Sequence, residues 1–273
     1  MFPAVEAARR GTGYFNVLVA FPFITLLIGQ VATLGATLPV YWALFLAAGH
    51  HNVKQADAVI SQRRAESIVF GFLVGIVAPS VAMMSLQTPK AIAFWQRECF
   101  SYLVAAISWP VLICLFPACP LYFYIAQQLY LLVRRQQSKV QSGYRTIKTF
   151  YTIVFVISAA THITYLVKRS AHPDGILPFF IPPFHPNRST VMSVQAINIL
   201  QWDAILITGS SILASFWFAD SITEVASLLI WHAVMVPVGG PFASFTGVLL
   251  WRESKLNGSS GVQSGKLKKV KKE

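Results

Sequence analysis

Charge is what this chain has least of. Only 12% of its 273 residues are Asp, Glu, Lys or Arg, and just 10 are acids. Soluble domains carry about a quarter charged residues, so an ordinary soluble fold is excluded. Cysteine is also scarce: Cys99, Cys114 and Cys119 share one apolar run without metal-ligand spacing, which reads as packing. Several chemical signatures are missing. There is no aspartate-rich Mg²⁺ motif, nucleotide loop, HExxH or serine-hydrolase elbow, and His50, His51 and Lys54 have no second cluster to complete a metal site. The expectation is therefore no metal and no cofactor. The net charge of +12 does not point to nucleic acid, because the basic residues sit between apolar runs and in the tail, with no binding motif around them. No small-residue cleavage site follows the N-terminal residues, so the first apolar run is expected to stay as an anchor.

What the chain does have is long uncharged stretches. Hydrophobic residues make up 55%, mean hydropathy is +0.57, and the runs 14–49, 66–87, 98–133, 149–167, 193–218 and 225–251 each reach spanning length. They predict an all-α polytopic transmembrane bundle of about seven spans, within a range of six to eight. One multi-span domain is expected over 1–251, followed by a basic, disordered cytosolic tail over 252–273. The run 14–49, interrupted by Gly35 and Pro39, reads as a full span over 16–35 and then a shorter helix. Gly71 and Gly75 allow close helix approach. Pro117–Pro120 mark a hairpin turn within 98–133, and residues 168–192 form a Pro-rich aromatic loop.

The run 225–251 is expected to break at Pro237, Gly239, Gly240 and Pro241 yet cross once. With single crossings and a cytosolic tail, segments 50–65 and 168–192 are cytosolic too, and the sequons at Asn187 and Asn257 stay unmodified. The basic segment 134–148 then faces the wrong side for the positive-inside tendency. The terminal KVKKE looks like a dilysine retrieval signal of endoplasmic-reticulum membrane proteins.

One acid lies deep in a span. Asp203 stands ten residues after Ser193, about 15 Å along a helix and halfway through a hydrocarbon core. A carboxyl there loses the hydration of its charged form and is expected to be neutral, a proton donor for a weak base such as an epoxide oxygen. The resulting carbocation would be steadied by aromatic faces, of which Trp202 is the nearest in sequence. Gln201 and Asn198 lie roughly opposite Asp203 around the helix. His162 and Tyr165 share a helix face and either bind substrate or hydrogen-bond within the bundle. Glu98, beside Arg97, stands where a helix-start acid is favoured by the helix dipole, and that reading and a site role are evenly weighted.

The patches ESIVFGFLVGIVAPSVAMM, WQRE, LQWD at 200–203 and GGPFASFTGVLLWRE, spread over most of the chain, resemble the fungal membrane-bound terpene cyclases of meroterpenoid and indole-diterpene pathways, especially the ascofuranone type. The resemblance implies a metal-independent, protonation-started cyclisation of a hydrophobic epoxidised terpenoid at the endoplasmic-reticulum membrane. It implies two intramembrane acids, Asp203 and a partner, for which Glu98 is chosen and Glu66 competes. Association with pathway monooxygenases or a prenyltransferase is left open. Two alternatives stand beside it: a transporter or receptor in which Asp203 binds a cation or proton, and a sterol-type isomerase also working by protonation.

Overall fold

The computed structural model describes residues 2–10, 32–51, 60–78, 122–134, 142–170 and 192–270, with isolated positions between 24 and 29. Glu98, Pro79, the turn at Pro117–Pro120, the three cysteines and the Pro-rich stretch 171–191 with Asn187 lie outside them. Among the described residues the regular elements are helical: α1 (Phe2–Arg10), α2 (Leu34–Ala47), α3 (Gln62–Phe72), α4 (122–133), α5 (Tyr144–Ser170), α6 (Met192–Ser215), α7 (Ile222–Gly239) and α8 (Pro241–Val270).

The chain forms two compact units. The first comprises Met1–Ala32 and Ile60–Gly143, the second Thr33–Val59 and Tyr144–Glu273. The division arises because α2 packs on α6 rather than on its sequence neighbours.

In the first unit, Ser61 caps α3 by accepting from the Arg64 amide, and the helix loosens into a π-helical turn at Leu73–Val77. Gly71 and Gly75 face Phe123 of α4. A Cβ on Gly71 would stand 2.9 Å from the Phe123 carbonyl oxygen, so these glycines do serve close packing.

The second unit is an up-and-down bundle. Phe155 of α5 stacks on Trp231 of α7, and His162 lies farther along α5 beside Pro237, farther along α7, so these two helices run parallel. α8 returns antiparallel to α7: Trp231 Nε1 donates to the Ser244 carbonyl at 2.8 Å, and Lys255 reaches back to Glu224 at 2.6 Å. The beginning of α5 meets the end of the α8 contact region, with the Tyr144 and Ser254 hydroxyls 3.4 Å apart. α6 ends at this same end of the bundle, in a 3₁₀ turn over Phe216–Phe218, where the Phe218 carbonyl accepts from Lys255. α2 runs parallel to α6, joined by the Gly35–Asp203 contact and, two turns on, by Trp42 Nε1 donating to Ser211 Oγ at 3.1 Å.

These directions correct one expectation. The run 225–251 is not one straight pass of helix; it folds back at Gly240, whose φ of 88° is in the region glycine favours. The expected break is present, but Gly240–Pro241 also reverses the chain. α7, from Ile222 to Gly239, is long and apolar enough to cross a membrane, while α8 runs on from Pro241 to Val270 through polar residues. The stretch 252–270, assigned to disorder on composition, continues α8. Extending an existing helix needs no new nucleus.

Two described helices are long and apolar enough to cross a membrane: Tyr144–Lys168 with hydropathy 1.7 and Ile222–Gly239 with 1.5. Only 11% and 17% of their apolar windows are covered by the rest of the protein, unlike a core helix of a soluble fold. α6, at 24 residues, is long enough to span but less apolar, since Asn198, Gln201 and Asp203 fall in its N-terminal half.

Candidate functional site at the start of helix α2

α6 carries Asp203 eleven residues after Met192 and twelve before Ser215, so the acid sits near mid-helix as expected, about 16–18 Å from either end. Its environment could not be read from composition. The N-terminus of α2 ends against it. Asp203 Oδ1 accepts from the Gly35 amide at 2.5 Å, and Oδ2 has no hydrogen bond among the described residues.

Three local features shape this contact. α2 is only 14 residues long, about 21 Å, and it begins level with the middle of α6 rather than with its end. Its first amides lack intrahelical acceptors and carry the positive end of the helix dipole. Thr33 Oγ1 accepts from Ala36 N at 3.4 Å, while Asp203 takes Gly35 N, so two different side chains cap one helix end. Thr33 itself has φ 73° and ψ 150°, a strained conformation for a β-branched residue. Finally, Gly35 has no side chain because none fits. A Cβ there would collide with Asp203 Oδ1 and stand 2.8 Å from its Cα and 3.0 Å from its carbonyl oxygen.

This arrangement can handle a proton in both states. A neutral carboxyl accepts the Gly35 N–H on its carbonyl oxygen and keeps its hydroxyl available. After the proton leaves, the same N–H and the helix end face the new negative charge without moving.

The other expected site residues are placed differently. Trp202 is 37% exposed and Gln201 is half-buried. Tyr165 is half-buried on α5. His162 contacts the α7–α8 break: its Nε2 is 3.3 Å from the Pro237 carbonyl, and a Cβ on Gly240 would stand 2.7 Å from its ring. The helical partner of that carbonyl would be the amide of residue 241, and Pro241 has none. His162 Nε2–H therefore supplies the missing donor. His162 and Asp203 make their hydrogen bonds at different helix pairs. Glu98 lies outside the described residues.

Glu66, the competing second acid, is held in the first unit. Tyr130 OH donates to Oε2 at 2.6 Å, Gln62 Nε2 donates to Oε1 at 2.8 Å, and Arg134 lies 3.7 Å away. Both carboxylate oxygens are already engaged.

Sequence reasoning missed His232. It is 5% exposed on α7, between Ser215 Oγ at 2.9 Å from Nε2 and Ser244 Oγ at 2.8 Å from Nδ1. Ser215 spends its hydrogen on the Ile212 carbonyl, so it accepts from His232 Nε2–H, and Ser244 donates to Nδ1. The ring thus ties α6, α7 and α8 together with every polar atom satisfied. The available signal was a single histidine in an apolar span.

Where α7 and α8 lie side by side, Glu224, Ser227, Leu228, Trp231, Val248 and Trp251 line a cavity of about 300 Å³. Lys255 bridges Glu224, at the polar end of this cavity, and Asp220, at 2.6 and 2.7 Å. Burial pushes the Lys255 ammonium down, but the two carboxylates outweigh it and hold the group above the usual lysine range. No group of three or more His, Cys, Asp and Glu residues is arranged to hold a metal among the described residues.

Comparison with known proteins adds a family. The family described as the CtvD domain matches residues 3–256. No curated protein and no solved structure matches the chain.

Proposed function

The chain belongs to the CtvD-domain family, and from that premise we propose that it is a multi-span membrane terpene cyclase that starts its reaction by protonating an epoxide. The family is compatible with a cyclase-like enzyme. The observation that carries the reading is Asp203: a mid-helix carboxyl with one oxygen on the Gly35 amide and the other without a hydrogen-bond partner among the described residues.

In this reading the Asp203 hydroxyl gives its proton to the epoxide oxygen of a prenylated or meroterpenoid substrate. The C–O bond opens, the oxygen becomes a hydroxyl, and an alkene π bond closes the ring on the carbon left electron-deficient. A neighbouring carbon then loses a proton, which returns to the Asp203 carboxylate directly or by way of the second acid, so the acid is restored and product and substrate have equal mass. Gly35 N–H holds the carboxylate that forms. No metal or cofactor enters the proposal. The second acid stays open between Glu98 and Glu66; the latter's engagement with Tyr130 and Gln62 favours a structural role, which leaves Glu98 as the choice. His162, Tyr165, Gln201 and Trp202 remain proposed substrate contacts, His162 by way of the face not turned to Pro237.

The test is direct. Microsomes containing the full chain, fed an epoxidised prenyl-aromatic compound, are expected to yield a cyclised isomer absent from vector controls. Failure across several such epoxides would remove the cyclase reading.

The bundle directions revise the proposed topology. The start of α5, with Arg145 and Lys148, lies at the same end as Lys255 of α8. Placing that end in the cytosol puts the basic segment 134–148 and the tail on one side, leaving Lys168, Arg169 and Arg188 opposite. The violation created by single crossings disappears. Asn187 then faces the lumen of the endoplasmic reticulum, where KVKKE is proposed to keep the protein. Expressed in a glycosylating host, the chain is expected to carry a glycosidase-sensitive glycan lost in Asn187→Gln and retained in Asn257→Gln. A glycan that depends on Asn257 instead would invert this topology.

A further inference from the structure

The cavity between α7 and α8 is separate from Asp203. Glu224, at its polar end, is in the first turn of α7, close to where α6 ends, whereas Asp203 lies twelve residues before Ser215. The depth difference is roughly 20 Å. Nothing in the epoxide chemistry uses this cavity, yet it is built from groups that select one kind of molecule.

Its walls are apolar and aromatic. Leu228 and Trp231 descend from Glu224 along α7 by about 6 and 10 Å, facing Val248 and Trp251 of α8. Trp231 is pinned, with Nε1 on the Ser244 carbonyl and its ring edge against Gly247, where a Cβ would collide with it. Its polar end offers acceptors. Ser227 Oγ has spent its hydrogen on the Thr223 carbonyl. Glu224 Oε2 takes both Lys255 and the Asp220 amide, while Oε1 has no hydrogen-bond partner among the described residues. The Lys255 ammonium, 4.9 Å from the Trp251 ring centroid, is shared between Glu224 and the exposed Asp220 outside the cavity, so it does not neutralise Glu224 alone. The nearby Arg252 guanidinium is buried and lies 4.4 Å from the Phe218 ring centroid.

A carboxylate that shares its ammonium with Asp220, acceptors without donors and the Trp231 indole complement a cation on an apolar stem. Glu224 begins a helix of spanning length, so the charged end would lie at headgroup level with the stem running inward. We infer that this cavity binds the ammonium group of an amphiphile, with the ammonium against Glu224 and the stem beside Trp231. A phospholipid headgroup and a free alkylammonium share this chemistry. The site stands apart from the proposed cyclisation, and either proposal survives failure of the other.

The experiment titrates the purified full chain, in uncharged maltoside micelles, with octyltrimethylammonium, octylphosphocholine and octyl glucoside, reading calorimetric heat and tryptophan fluorescence. Saturable binding of octyltrimethylammonium is expected, weaker by about tenfold in Glu224→Gln. Leu228→Trp, which fills the space without changing charge, should abolish it while helical circular dichroism is retained. Comparable binding of octylphosphocholine would identify a lipid headgroup, and its absence a free amine; both outcomes keep the ammonium site. The inference falls if octyltrimethylammonium shows no saturation, if octyl glucoside binds equally well, or if both variants bind like the wild type.

Discussion

Asp203→Asn is expected to reduce cyclisation by about 10²–10⁴-fold, the usual worth of a positioned general acid. The substitution isolates the proton. Asparagine has nearly the same shape, and its carbonyl oxygen can still accept the Gly35 amide that Asp203 Oδ1 holds at 2.5 Å. The cap on α2 and the α2–α6 packing should therefore persist, and the thermal midpoint of the purified protein should stay close to that of the wild type. Asp203→Ala removes both the proton and the cap, and should lower activity and melting temperature together. Normal turnover by Asp203→Asn would end this residue's claim to the chemistry. A large loss of stability in Asp203→Asn would instead make Asp203 a helix cap first.

That second outcome matters because the two roles look alike from sequence. Asp203 was legible as the one acid far from any span end, and its mid-helix position in α6 agrees. Its partner was not legible. Gly35 is 168 residues away, and the group it offers is a backbone N–H that every non-proline residue has. The strained Thr33 was invisible for the same reason, since backbone angles leave no mark in composition. Gly240 shows the reverse case. Glycine beside Pro241 announced a break, but the turn's direction depended on contacts made farther out, such as Lys255 with Glu224 and Tyr144 with Ser254. In the structure Arg252 and Glu253 are buried, so polar residues prolong an arm that hydropathy ends early. His162 had two readings in the sequence, a substrate contact or a hydrogen bond within the bundle, and the structure supplies a hydrogen bond. Pro241 leaves a backbone carbonyl that His162 satisfies.

Gly35→Ala supplies the sharper test, because it changes no acid at all. The added methyl would run into Asp203 Oδ1 and approach the Asp203 backbone to 2.8–3.0 Å, and backbone atoms of a packed helix cannot swing aside as a side-chain tip can. α2 and α6 must separate, and overpacking of this kind costs about 1–3 kcal/mol. Separation also lengthens the Gly35 N–H contact that steadies the carboxylate after proton transfer. Cyclisation should therefore fall by tenfold or more with Asp203 intact. Gly209→Ala is the matched control, on the same helix as Asp203, with open space around its missing Cβ. There the better helix propensity of alanine should leave stability unchanged or raise it by up to about 1 kcal/mol, with turnover unaffected. Thermal unfolding in detergent and product formation in microsomes read both quantities. If Gly35→Ala melts and turns over like Gly209→Ala, the close approach of α2 to Asp203 is not what sustains the site. If it loses activity but not stability, the amide acts on the acid rather than on the fold, and the start of α2 belongs to the chemistry.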